Sequence, residues 1–173
     1  MTKKQSYIKY IEPEDLNNIV NIIRSFNYEN EKEIPDYDKE TDAIDKYFAL
    51  IDRSKTEYYP DIFDKASHLF ININSHYFSN GNKRLSVVST VIFLEKNGFI
   101  AANLSKENYR EIIKNLFGNF SLAELEGFEP KDFGIYNLAI IVAMQNEKKQ
   151  LKVSNDDLKK KVKIFFKKTF IDK

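Results

Sequence analysis

The stretch from Leu85 to Asn97, LSVVSTVIFLEKN, limits the fold more than any other part of the chain. Leu85, Val87, Val88, Val91, Ile92, Phe93 and Leu94 do not form one stripe; at helical spacing they point to nearly every side. A helix that is apolar almost all round must be covered on most sides, so it has to be central. Asn97-Gly98 gives it a natural stop, because glycine takes the left-handed turn after a helix without steric cost. The cover has to come from the rest of the chain. Five glycines and four prolines leave few breaks in 173 residues, and strand-like alternation is scarce. The expected fold class is therefore mostly α.

The surrounding helices can be placed by period and by caps. Pro13 followed by Glu14 and Asp15 reads as a helix start, with acids near the positive end of the dipole, and Leu16, Ile19, Val20 and Ile23 continue it as a stripe. Residues 27–37 are polar and read as a loop. A second helix is expected from Thr41 to Ile51 with Ile44, Tyr47, Phe48 and Ile51 on one face, and the segment DRSKTEYYP, 52–60, breaks it. Ile62, Phe63, Ala66, Leu69, Phe70 and Ile73 make a third helix that stops just before His76. Beyond the central helix, Ile100 opens a short extended piece, and Ser105 caps a helix running to Leu116. An apolar helix from Ile135 to Met144 follows residues 127–134. Ser154 caps a basic amphipathic helix ending near Phe170.

Apolar content of 42%, with 14% aromatics, is enough for one real core. A net charge of +1 gives no global argument for nucleic acid or an acidic membrane. The absence of cysteine excludes disulfides, thiolate metal sites and a cysteine nucleophile. The N-terminus lacks the apolar block of a secretory signal, and the longest apolar run, Tyr136 to Met144, is too short to cross a bilayer. These features lead to the expectation of a cytoplasmic protein with neither membrane nor nucleic acid as partner.

The chemistry is concentrated in HYFSNGNKR, residues 76–84, between the third helix and the central one. A helix N-terminus presents unpaired N–H groups and the positive end of a dipole, which suits an anion. Gly81 can take backbone angles that other residues resist and lets a ligand approach the main chain. Lys83 and Arg84 oppose the dipole there, so they make better sense as phosphate ligands than as helix stabilisers. Asn82 either fixes the turn or bonds a phosphate oxygen, and Phe78 reads as a core anchor. His76, with an ordinary pKa near neutrality, can take a proton from a hydroxyl. A base beside a phosphate cradle implies attack of a hydroxyl on phosphorus.

His76, Phe78, Asn80, Gly81, Asn82, Lys83 and Arg84 resemble the signature H-x-F-x-[D/E/N]-[G/A]-N-[G/K]-R of the Fic/Doc (Fido) superfamily. The lysine before the arginine, and Val87 where AMP-transferring members carry a second arginine, are similar to the Doc (death-on-curing) branch. The likeness extends over about residues 6 to 128. It implies a helical Fido core over 1–128, with a short β-hairpin flap near 52–60 that pins a target peptide, and a C-terminal helical extension over 129–173. It also implies that His76 is the general base for a Ser, Thr or Tyr hydroxyl of a target protein. Asn80, Gly81, Asn82, Lys83 and Arg84 would bind the nucleotide, with ATP as donor and Mg2+ as cofactor. The Doc-like function is a toxin that phosphorylates its target and is held by an antitoxin. The alternatives are AMP transfer and a catalytically weak module that acts by binding. Asn80 stands where many relatives have a carboxylate, and a neutral amide is a weak magnesium ligand.

Three further features fall outside this reading. His68 lies off the apolar stripe of its helix and is expected at the rim or exposed. Ser25 to Asn30 fits the loose inhibitory pattern [S/T]-x-x-x-E-[G/N], through Ser25 and Glu29, but a pattern this short arises by chance and is not counted in the site. The lysines of 159–168 read as the solvated face of a helix that docks Leu158, Val162, Phe165 and Phe166.

Overall fold

A computed structural model describes residues 7–25, 36–75, 77–148 and 153–173. In chain order these form α1 (Pro13–Ser25), a 3-10 turn (Tyr37–Lys39), α2 (Thr41–Ser54), α3 (Ile62–Ile73), α4 (Asn82–Lys96), β1 (Phe99–Ala101), α5 (Lys106–Phe117), α6 (Pro130–Lys148), α7 (Asn155–Thr169) and β2 (Phe170–Asp172). The protein is mostly helical, with one small antiparallel sheet in which Ile100 faces Ile171. None of its described helices is long and apolar enough to cross a membrane.

The central helix is where its composition requires it. α4 packs against α1, α3 and α6, and Leu85, Val87, Val88, Val91, Phe93 and Leu94 are all buried. Fully burying each such side chain contributes roughly 1.5–3 kcal/mol. Its small polar residues are buried too, and Ser89 shares a hydrogen bond of 2.9 Å with the Tyr47 hydroxyl of α2. α3 lies between α4 and α7, while α5 packs on both α6 and α7.

The basic C-terminal helix docks as its pattern indicates: Leu158, Val162, Phe165 and Phe166 are buried. Lys163 reaches back to the N-terminus of α3, 2.7 Å from both Asp61 and Asp64. Those two aspartates also cap α3 reciprocally. The strand β2 was not legible from sequence. It closes the chain onto the segment after α4, with Lys173 N–H donating to the Gly98 carbonyl.

Two expectations need correction. The hairpin flap is not formed: residues 55–60 are turns, and among the described residues the strands are β1 and β2. α2 runs on to Ser54, and the buried ammonium of Lys65 then takes the carbonyls of Ser54 (2.7 Å) and Thr56 (3.1 Å). An ammonium that claims two carbonyls of the segment favours a tight turn over a strand edge. The apolar helix also begins earlier than Ile135, at Pro130. Gly134 does not break it, because the Tyr109 ring of α5 fills the place of its missing side chain: a Cβ there would lie 2.0 Å from Tyr109 Cδ1.

Candidate functional site

α4 starts differently from its neighbours. α3, α5 and α7 open on Asp61, Ser105 and Ser154, each accepting from an N–H three residues on. The N-cap of α4 is Gly81, in the left-handed region at φ 76°. An N-cap is ordinarily extended and supplies a side-chain oxygen; this one does neither. The N–H groups of Asn82, Lys83 and Arg84 have no acceptor within the helix. A left-handed residue followed by helical ones turns successive N–H groups toward one side, an arrangement that suits anions.

The turn is held from within. Asn82 Oδ1 accepts from the Phe78 N–H at 3.0 Å, and Asn82 Nδ2 donates to the Phe78 carbonyl at 2.7 Å. Of its two sequence-based roles the side chain thus performs the first, fixing the turn. Its side chain is 5% exposed and faces the loop's own backbone. Phe78 is buried, as expected of an anchor, and its ring meets that of Tyr37 edge to face at 5.1 Å. The Tyr37 hydroxyl donates to the Gly81 carbonyl at 3.0 Å.

Lys83 is half-buried, whereas Arg84 is 3% exposed. Arg84 is thus covered by the fold rather than presented at the surface of the turn. Val87 lies one helical turn further on, buried in the core, so no cation supplements the turn from that position.

His76 lies outside the described residues, as do Glu29 and Asn30 of the loose inhibitory pattern. Both flanks of His76 are fixed. On one side Asn74, the C-cap of α3, donates to the Ala139 carbonyl of α6 at 2.7 Å. On the other, Phe78 is clasped by Asn82.

The expected magnesium ligand does not fit that role. Asn80 Oδ1 already accepts from the Gly81 N–H at 2.6 Å, and it is neutral. Among the described residues no three His, Cys, Asp or Glu side chains converge. Mg2+ demands near-octahedral oxygen ligands, carboxylates and phosphates foremost, and the turn supplies no such set.

His68 lies at the rim, one of the two places expected of it. It is half-buried, its ring stacked on Tyr59 at 4.1 Å, with Nδ1 meeting Asn72 Nδ2 at 3.1 Å. Burial first, then the charges of Lys159, Arg53 and Lys65, pulls its pKa down to about 4. It lines a cavity of about 300 Å³ with Tyr58, Tyr59 and Lys159.

Sequence reasoning missed Tyr37 and Glu40. Tyr37 sat in a polar stretch read as loop. Glu40 carried no local signal; only the folded chain brings its carboxylate to Ser79, where it accepts from the N–H at 2.9 Å and from the hydroxyl. No family model matches the chain, and neither a curated protein nor a solved structure does.

Proposed function

We propose that the protein is a Fido-type transferase that moves the terminal phosphate of ATP to a Ser, Thr or Tyr hydroxyl of a target protein, in the manner of a Doc-like toxin restrained by an antitoxin. One observation carries the reading: the motif residues Gly81 to Arg84 form the uncapped, left-handed start of the central helix, a place whose N–H groups and dipole favour a phosphate. An anion at such an N-terminus gains up to about 2 kcal/mol from the dipole in a partly buried setting. Lys83 adds a charge at its edge. Arg84 adds field from below and touches a phosphate directly only if the groups covering it move.

In this reading His76 accepts the hydroxyl proton as the target oxygen bonds to phosphorus. The bond from the γ-phosphorus to the bridging oxygen breaks, and ADP departs with the electron pair. Any divalent ion arrives with the nucleotide, since residues 77–84 include no carboxylate and that of Glu40 is engaged by Ser79. Apolar Val87 favours phosphate transfer over AMP transfer, which in similar proteins uses a second arginine there.

The test is a mass measurement. Purified protein, ATP and Mg2+ are incubated with bacterial lysate, and the modified proteins are weighed intact. A gain of one phosphate, abolished by His76→Ala while ATP binding survives, is the expected result. A gain of one AMP would assign the alternative chemistry. No modification, with His76→Ala indistinguishable from wild type in cells, would leave a binding module instead.

A further inference from the structure

We propose that Glu40 is a positioning residue for the nucleotide: its carboxylate holds the loop before α4 in the shape that receives phosphate. The proposal rests on the reading of that turn as the nucleotide site.

Glu40 is fixed at its own end. It is the N-cap of α2, its carbonyl accepting from the N–H groups of Ala43 and Ile44 at 3.0 Å, and its N–H donating to the Tyr37 carbonyl at 3.2 Å. From that footing the side chain crosses to a loop 39 residues away in sequence and takes both donors of Ser79, the N–H at 2.9 Å and the hydroxyl. Both bonds are charge-assisted, hence stronger than neutral ones. Ser79 is exposed and stands between Phe78, clasped by Asn82, and Asn80, whose amide receives the Gly81 N–H. With Tyr37 bonded to Gly81, the segment 37–40 therefore touches the loop at three residues: 78, 79 and 81. Without Glu40 the exposed Ser79 would have no side-chain tie to the rest of the fold, and the loop that leads into the first N–H groups of α4 would be held only at Phe78 and Gly81.

Charge alone makes the opposite demand. A carboxylate beside an anion site repels phosphate, so a purely electrostatic Glu40 would be a hindrance to binding. Geometry and charge thus predict opposite signs. Glu40→Gln removes the charge but keeps the ties, its amide oxygen accepting from the Ser79 N–H and its amide N–H donating to the Ser79 hydroxyl oxygen. Glu40→Ala removes both charge and ties.

The experiment is calorimetric titration of each variant with ATP and Mg2+, with thermal melts as the folding control. Glu40→Ala should bind ATP about tenfold more weakly, equivalent to about 1.4 kcal/mol, and KM should rise more than kcat falls. Glu40→Gln should bind as tightly as wild type or tighter. Ser79→Ala, which deletes only the hydroxyl tie, should weaken binding by roughly threefold, about 0.65 kcal/mol, and it decides the matter if Glu40→Ala does not fold. Equal or tighter binding by both Glu40→Ala and Ser79→Ala overturns the positioning role while leaving the nucleotide site intact. Failure of the wild type to bind ATP overturns the nucleotide site itself, and this role with it.

Discussion

Asn82→Ala is the most direct probe of how the turn before the central helix is built. The substitution removes the acceptor of the Phe78 N–H and the donor to the Phe78 carbonyl, bonds of 3.0 and 2.7 Å at a residue 2% exposed. A buried backbone group left unsatisfied costs about 1–3 kcal/mol. Two are lost, but the neighbouring Ser79 is exposed, so water reaches part of the gap and the lower half of the range applies to each. Alanine's better helix propensity returns no more than about 0.7 kcal/mol. The net loss is roughly 1.3–3.3 kcal/mol, a fall in Tm of roughly 3–13 °C for a chain of this size. Circular-dichroism melts and urea titrations measure it. Asn82→Asp sharpens the test: it keeps an acceptor for the Phe78 N–H but sets a carboxylate oxygen against the Phe78 carbonyl, so it should also fall below wild type at neutral pH. Either variant within about 0.5 kcal/mol of wild type, inside the scatter of ordinary surface changes, would refute the clasp as the element that holds the turn.

Gly134→Ala, usually a gain in a helix, should destabilise by about 1–3 kcal/mol through overpacking against Tyr109, read as a lowered urea midpoint; pairing it with Tyr109→Leu should recover part of the loss. His68 should make stability depend on pH. Its folded pKa of about 4 lies below the ordinary 6.5, so its contribution is complete above pH 6.5 and is lost as pH falls toward 4, where the unfolded chain binds the proton first. The difference between wild type and His68→Gln should therefore narrow across that window in urea titrations. Gly81→Ala forces a side chain to φ 76° and should cost about 1–2 kcal/mol, with ATP affinity falling in the same titrations.

Periodicity was a good guide wherever one element decided its own fate. The all-round apolar run 85–94 required burial, and the stripe of Leu158, Val162, Phe165 and Phe166 required a docked face; both follow from the residues alone. The expected face of α2 was only partly right: Tyr47 and Ile51 are buried, but Ala43 and Leu50 complete the face while Ile44 and Phe48 are partly covered. The errors lie where a distant partner rules. From sequence the apolar helix starts only after Gly134, which Tyr109 in fact fits, and the hairpin that the family resemblance implied for 52–60 gives way to turns whose carbonyls the Lys65 ammonium takes. The turn at Gly81 was legible because glycine, asparagine and two cations in sequence describe it locally. Tyr37 and Glu40 were not, since a glutamate that begins one helix gives no sign of a serine 39 residues onward. The depth of Arg84 was equally hidden, because it stands at the junction of a polar loop and the apolar run 85–94.

The pairing of β2 with β1 bears on how the molecule comes together in time. Phe99–Ala101 is synthesised well before its partner strand Phe170–Asp172, with α5, α6 and α7 made in between. α7, the helix that leads into β2, is also what covers α3. α3, which leads directly into the motif loop, therefore lacks its α7 cover until residues 155–169 have been made and have folded back onto it.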